Sequence, residues 1–537
     1  MHSSTRRSFL QHLGYGAAGV ALTSWAPTGL RADEAVALSG AGLPRTTPEE
    51  QGIFSKSILN FLEGLREKKI EFHSFIIARH GRVVAEGWWS PYGPGLNHTM
   101  YSMSKSFTST AVGLAVAEGK LHVDDRVTSF FPHDLPNPVS DHLAALQVKH
   151  LLTMSAGHEK EPTHAMVEQE NWVKAFLAAP IANAPGTAFV YNSGATYMLS
   201  AIVQQVTGQK VIDYLRPRLF QPLGISGMTW ETCPRGINTG GWGLSICTEG
   251  LARFGQLYLQ KGEWAGKRLL PAKWVQEATT FKIQQPMPAK PTRPKEQNDW
   301  LQGYCYQFWR CQHNAFRGDG AFGQYTIVLP EHDAVIAITG ESGNMQGELD
   351  LVWEHLLPGM QDSVLAPDNA SQAELQRVVA ALKLEPPQGK ATGAAQAQLH
   401  GKKIQLETNN LGITTASLAF QDGGCIFSAQ TAAGAESKVE NGAGQWRLGL
   451  CAVPGTPPRI ISGGAPKVGT PAKVAASGVW KDDDTYEMTW RYYETPHHDT
   501  VTCQVKGNEV TIGFQSSINQ LHGNAKDSRP VLKGKLA

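Results

Sequence analysis

The chain has 537 residues with 48 basic and 47 acidic side chains, so its net charge is +1. This balance gives no support for a nucleic-acid partner or for binding to an anionic membrane surface. The length allows more than one domain. Seven cysteines without metal-ligand spacing predict no metal site, and we expect no cofactor.

The first 37 residues are predicted to be an export signal. Arg6 and Arg7 precede two apolar residues and a modest apolar run from Leu13 to about Trp25, which is the layout of a bacterial twin-arginine signal. The run is too short for a good membrane span. We therefore predict a signal peptide at residues 1–37 and a periplasmic protein, with the cleavage site left open. The alternative is a basic amphipathic start on a cytoplasmic protein.

Residues 45–360 are predicted to form one mixed domain. Strands are predicted at residues 72–89 (a hairpin around Gly81), 303–310, 323–330 and 334–340, and helices at 197–207, 211–220 and 248–260. This order of strands, helices and returning strands predicts an α+β fold. Its antiparallel sheet carries helices on its faces, and an all-helical region is inserted between the two halves of the sheet.

The rest of the chain differs in composition. Residues 361–397 are predicted to be a linker with one helix at 373–384, ending in a stretch rich in Pro, Gly, Ala and Gln. Short alternating runs separated by turns then predict a small all-β barrel or sandwich at residues 398–537. No catalytic spacing occurs in this part, so we expect an accessory domain that contributes no catalytic group.

A serine and a lysine three residues apart are the first candidate catalytic pair. Ser102 and Lys105 open a predicted helix that ends at Gly119, and this spacing places both side chains on one face. A buried lysine with a lowered pKa can take the proton of a serine hydroxyl and make it a nucleophile. By itself a Ser-x-x-Lys match also occurs by chance in a chain of this length.

Two further stretches bear on Ser102. Tyr191 ends an extended run before a polar turn, where its hydroxyl can accept the serine proton and pass it to a leaving group. Gly320 and Ala321 lie in a glycine-rich stretch before a strand, and a backbone N–H there could join that of Ser102 in an oxyanion hole. An ordinary half-buried tyrosine and a common glycine hairpin are the structural alternatives.

Together these stretches resemble the penicillin-recognising serine hydrolases, in particular the branch close to class C β-lactamases. Ser102 to Lys105 matches the Ser-x-x-Lys motif, Tyr191-Asn192-Ser193 stands at the Tyr-x-Asn position, and Gly318-Asp319-Gly320 stands at the Lys-Thr-Gly position. The resemblance covers residues 45–358 and is strongest to the esterase and 6-aminohexanoate-dimer hydrolase members. It implies an α/β sandwich with an all-helical region, and an acyl-enzyme on Ser102.

Two departures from the family pattern affect the expected substrate. Gly318 replaces the basic residue that helps hold a substrate carboxylate, and the sequence leaves open whether Arg317 takes its place. Ser193 replaces the usual asparagine and is predicted to contact substrate. We therefore expect a small ester or amide substrate. A β-lactamase or D-amino-acid peptidase is the first alternative, and a catalytically silent binding protein on the same fold is the second. The oligomeric state stays open.

Overall fold

The structure is a computed structural model that describes residues 42–461, 471–521, 523 and 526–537. The predicted signal peptide therefore lies outside the described residues. Among the helices in the described ranges, none is long and apolar enough to cross a membrane.

A six-stranded antiparallel sheet forms the centre of the N-terminal part. Its strands, in spatial order, are Arg82–Trp88, Phe72–Arg79, Ala334–Gly340, Gln324–Leu329, Phe316–Gly320 and Trp309–Arg310. The strand Phe72–Arg79 is buried along its whole length. Successive side chains of this strand point to opposite faces of the sheet and so enter two separate cores. Ile76 and Ala78 belong to the core on one face, and Phe75 and Ile77 belong to the core on the other. The predicted mixed fold is confirmed.

Helices cover both faces of this sheet and fill the region inserted between its strands. In chain order they are Ser55–Glu67, Ser104–Ala117, Val127–Phe130, Asp141–Ala145, Val148–Leu152, Thr163–Val167, Trp172–Ala178, Ser193–Thr207, Val211–Leu215, Thr248–Leu259, Ala272–Thr279, Met345–Leu351 and Asn369–Ala380. Phe61, on the first of them, packs against Phe72 and Phe75. The helix that follows Ser102 is buried on nearly every side, so it runs through the core and not along the surface.

One predicted strand is largely absent. Residues 303–310 were expected to be extended, but only Trp309–Arg310 forms a strand. Gln307 has φ of 65°, and a bridge between Tyr304 and Trp309 turns the chain back on itself. The Gln307 amide donates to the Leu151 and Leu152 carbonyls, which holds this turn against the helical region. A tertiary contact has therefore overridden the local preference for a strand.

The C-terminal part is a closed barrel of nine strands. In order around the barrel they are Glu436–Gly442, Gly424–Thr431, Ile413–Gln421, Lys403–Leu406, Leu532–Leu536, Glu509–Ser516, His498–Lys506, Thr485–Arg491 and Ala472–Trp480. Gly442 pairs with Ser477 to close the circle, and the Ser477 hydroxyl donates to the Gly442 carbonyl. Arg447–Cys451 pairs with the last of these strands, and short helices lie at Gln396–Leu399 and Ser517–Leu521. The predicted all-β domain is confirmed, and it is a barrel.

The barrel packs directly on the mixed part of the chain. Arg491 on a barrel strand donates to Glu71 at 2.7 Å, and the Trp446 indole donates to the Leu384 carbonyl at 2.7 Å. Helix Asn369–Ala380 packs instead on helix Ser55–Glu67. The helix predicted at 373–384 therefore exists, but it begins and ends about four residues earlier than predicted.

Candidate active site

Ser102 lies in a short 3-10 turn at Tyr101–Met103, directly before helix Ser104–Ala117. The chain enters this turn at Tyr101, whose φ is 45°, an uncommon conformation for a residue with a side chain. Positions 102 and 105 then face the same side, as the sequence predicts. The Ser102 hydroxyl therefore stands at the N-terminal, electropositive end of a buried helix.

The Lys105 amine lies 2.9 Å from the Ser102 hydroxyl. It also donates to the Ser193 hydroxyl at 3.1 Å and to the Gly241 carbonyl at 2.7 Å, so its position is determined from three directions. Burial lowers the pKa of Lys105 to about 8, although Glu161 and Asp319 act in the opposite sense. A fraction of this amine is therefore neutral near neutral pH and able to accept a proton.

Tyr191 lies beside the same lysine. The Lys105 amine is 4.8 Å from the centre of the Tyr191 ring, and that ring stacks on Trp309. Burial raises the pKa of Tyr191, and a hydrogen bond with Ser102 only partly opposes this. The phenol is therefore protonated at neutral pH. It is suited to giving a proton to a leaving group, while Lys105 is the better acceptor for the serine proton.

Ser193 supports the lysine from the first turn of helix Ser193–Thr207. Its hydroxyl accepts from Lys105, and its backbone N–H donates to Glu161 at 2.5 Å. The serine at this position therefore retains a polar contact to the candidate base.

Gly320 and Ala321 meet the Ser102 turn at the end of strand Phe316–Gly320. A Cβ on Gly320 would lie 2.1 Å from the Met100 carbonyl, so only glycine allows the strand to approach the turn this closely. Ala321 and Ser102 line one cavity. Both residues therefore border the same space beside the Ser102 turn.

Arg317 does not take the place of the missing basic residue. Its side chain is fully buried and its Nε donates to Asp319 at 3.0 Å, while the guanidinium lies over the Trp300 ring. Position 318 has no room for a side chain, because a Cβ there would lie 2.6 Å from Met103 and Ser106 side-chain atoms. Neither residue can hold a substrate carboxylate.

The barrel lines part of the same cavity. Its wall combines residues near Ser102 with the barrel segment 457–461 and with Thr495 and His497. Arg459 of that segment lies 4.0 Å from Glu231, and both side chains are partly exposed. Within the described ranges, no group of three or more His, Cys, Asp or Glu side chains could hold a metal ion.

The antiparallel sheet with its inserted helical region, and a serine–lysine pair just before and within the buried helix Ser104–Ala117, form the arrangement expected of a serine hydrolase. The chain belongs to the Beta-lactamase family, whose model matches residues 60–357.

Two curated proteins and one solved structure are among those to which this chain is similar. The 6-aminohexanoate-dimer hydrolase of Paenarthrobacter ureafaciens is 24% identical over 312 residues, which cover 54% of this chain and 78% of that protein. Esterase EstB of Burkholderia gladioli is 26% identical over 190 residues, which cover 31% of this chain and 48% of the esterase. An octameric penicillin-binding protein homologue from Pyrococcus abyssi superposes with a TM-score of 0.46 at 16% identity, covering 89% of this chain and 99% of that one.

Sequence reasoning missed three residues that touch the candidate groups. The Gly241 carbonyl holds Lys105, Glu161 holds the Ser193 backbone, and His497 contacts Tyr101 from the barrel. Thr239-Gly240-Gly241-Trp242-Gly243 carries a visible signal, because three glycines in five residues indicate a close approach of backbone. Neither Glu161 nor His497 has such a local signal.

Proposed function

We propose that this enzyme cleaves an ester or amide bond through an acyl-enzyme formed on Ser102. The observation that carries the proposal is the 2.9 Å contact between the buried Lys105 amine and the Ser102 hydroxyl. A serine hydroxyl is a weak nucleophile until a base takes its proton, and a neutral lysine at this distance is such a base.

The proposed steps assign one role to each of these groups. Ser102 Oγ attacks the substrate carbonyl carbon while its proton passes to Lys105. The backbone N–H groups of Ser102 and Ala321 stabilise the oxyanion. The Tyr191 hydroxyl protonates the leaving group as the C–O or C–N bond breaks, and Lys105 restores the tyrosine proton. Water then attacks the acyl carbonyl, and the same groups release the acid and free Ser102.

Esters and amides without an obligatory carboxylate are the proposed substrates. The buried Arg317 and the side-chain-free position 318 support this, since neither presents a cation to the substrate. The named activities of the relatives, a 6-aminohexanoate-dimer hydrolase and an esterase, are consistent with it. We expect turnover of p-nitrophenyl acetate to exceed that of nitrocefin and of a D-Ala-D-Ala peptide. Faster hydrolysis of either of the last two would favour the β-lactamase or peptidase alternative.

Labelling with a fluorophosphonate probe tests the nucleophile. We expect wild-type protein to form a covalent adduct and Ser102→Ala to form none, because the variant lacks the attacking oxygen. Ser129→Ala removes an exposed hydroxyl that donates to the nearby Arg126 carbonyl, and this control should label like wild type. Labelling of Ser102→Ala at the wild-type rate would show that another residue is the nucleophile.

We also propose export through the twin-arginine route to the periplasm. The support is the Arg6-Arg7 pair and the apolar run that follows it. Replacing both arginines by lysine keeps the charge but alters the signal. We expect the double variant to accumulate in the cytoplasmic fraction of a bacterial host, while wild type appears in the periplasmic fraction. Equal amounts of both proteins in the periplasm would contradict this route.

A further inference from the structure

One loop of the barrel is inserted next to the candidate nucleophile. This hairpin loop, residues 492–497, joins strands Thr485–Arg491 and His498–Lys506. The Tyr92 hydroxyl donates to the Thr495 carbonyl at 2.9 Å, and the Thr99 N–H donates to the Glu494 carbonyl at 3.1 Å. The loop is therefore bonded to the segment that leads directly into Ser102.

His497 in this loop connects a buried carboxylate to Tyr101. Its Nδ1 lies 2.6 Å from Glu341, and its Nε2 lies 2.5 Å from the Tyr101 hydroxyl. Burial alone would raise the pKa of Glu341, but hydrogen bonds from His497 and His498 hold it well below its usual range. The ionised carboxylate can only accept, so Nδ1 carries a hydrogen. The tautomer with its hydrogen on Nδ1 leaves the lone pair of Nε2 facing the tyrosine hydroxyl, which can donate to it.

The histidine ring also contacts Phe322. Their ring centres are 4.8 Å apart at 87°, and those of Tyr101 and Phe322 are 5.7 Å apart at 66°, so the three rings form one cluster. Tyr101 and Phe322 both have positive φ, at 45° and 67°. Non-glycine residues keep this conformation only when their surroundings enforce it.

These two residues flank the proposed oxyanion donors. The Ser102 N–H belongs to the peptide that joins Tyr101 to Ser102, and Ala321 directly precedes Phe322. The Ala321 N–H belongs to the peptide between Gly320 and Ala321, one residue before Phe322. A contact that fixes Tyr101 therefore holds the peptide of the Ser102 N–H directly, while a contact with Phe322 holds the turn that carries Ala321. His497 touches both residues, although it is almost 400 positions away from Tyr101 in the chain.

We propose that His497 is a positioning residue of the active site: held by Glu341, it fixes Tyr101 and Phe322 and thereby aligns the oxyanion donors at Ser102 and Ala321. The inference rests on the proposed function, because it assumes that these N–H groups stabilise the reaction. It makes the barrel a part of the catalytic unit and not only an accessory domain.

Two variants of the full-length chain remove the bond between His497 and Tyr101 from opposite sides. Tyr101→Phe keeps the ring and deletes the hydroxyl, whereas His497→Asn keeps a donor for Glu341 and deletes the acceptor for Tyr101. We expect each to lower kcat for p-nitrophenyl acetate by about 10-fold to 100-fold with KM nearly unchanged, because a small displacement of oxyanion donors affects mainly the transition state. The double variant should be no slower than the worse single one.

Tyr92→Phe is the matched control. It also deletes a tyrosine hydroxyl that bonds to the hairpin loop, but this hydroxyl meets a backbone carbonyl and not His497. We expect its kcat to stay within about twofold of wild type. His497→Gln, whose longer side chain can return an acceptor towards Tyr101, should recover part of the loss seen in His497→Asn.

The outcomes separate this inference from the proposed function. If Ser102→Ala is still labelled by the fluorophosphonate probe, the proposed function is wrong and this inference is wrong with it. If Ser102 is the labelled residue but Tyr101→Phe and His497→Asn retain wild-type kcat, the positioning role alone is wrong. An equal loss in Tyr92→Phe would also overturn it, because the effect would then come from general loosening of the loop. If circular dichroism shows that His497→Asn is unfolded, the test rests on Tyr101→Phe alone. A wild-type kcat in that variant would then contradict the positioning role.

Discussion

Replacing Lys105 by methionine is expected to lower kcat/KM for an activated ester by about 10²- to 10⁴-fold. The substitution keeps the volume of the side chain and removes the amine that lies 2.9 Å from Ser102. Lys149→Met is the control, because the partly exposed amine of that lysine pairs with Asp124 at the surface. Steady-state kinetics with p-nitrophenyl acetate measures both. Activity of Lys105→Met within about threefold of wild type would rule out Lys105 as the general base.

The pH dependence of acylation reports on the same amine. Only the neutral amine accepts the serine proton, and burial lowers the pKa of Lys105 to about 8. The neutral fraction therefore rises from about one-tenth at pH 7 to about nine-tenths at pH 9, so the acylation rate should rise about tenfold over this range and then level off. An unperturbed lysine would still be mostly protonated at pH 9. If the acylation rate instead continues to rise above pH 9, with a midpoint near pH 10, the pKa of Lys105 is not lowered by burial as proposed.

Replacing Arg317 by methionine is expected to destabilise the fold by about 3–5 kcal/mol. Arg317 is fully buried, and it is the partner of the buried Asp319 carboxylate. Burial raises the pKa of Asp319, although Arg317 opposes this. Removing the guanidinium leaves an unpaired charge in the interior. Denaturant unfolding followed by circular dichroism measures the change in free energy.

Two further variants make the Arg317 test specific. Arg377→Met breaks an exposed pair with Glu374 and should change stability by less than about 1 kcal/mol. The double variant Arg317→Met/Asp319→Asn removes both charges and should be more stable than Arg317→Met alone. If Arg317→Met and Arg377→Met unfold at the same denaturant concentration, the buried pair does not contribute as proposed.

The arrangement of Ser102 and Lys105 could be predicted because it is local. Three residues at the start of a helix determine the relative position of the two side chains whatever surrounds them. The same reasoning explains why helices at Ser193–Thr207 and Thr248–Leu259 and the hairpin around Gly81 agree with their predictions. Each of these elements is one continuous segment, and the spacing of its apolar residues indicates which of its faces is buried.

The barrel shows where local patterns become insufficient. Five of its nine strands were predicted near their observed positions, but the other four were not: Gly424–Thr431, Glu436–Gly442, Ala472–Trp480 and Leu532–Leu536. The alternation of one strand does not show whether a sheet closes. Closure depends on the contact of Gly442 with Ser477, which lies 35 residues further along the chain.

The sequence by itself determined the mixed fold, the all-β C-terminal domain and the Ser102–Lys105 pair, because each depends on neighbours in the chain. Only the tertiary structure decided that Arg317 turns inward to Asp319 and that Met103 and Ser106 occupy the space beside Gly318. It also brought His497 onto Tyr101. These contacts join segments that are far apart in the sequence. They depend on how the whole chain packs, so a local sequence pattern cannot predict them.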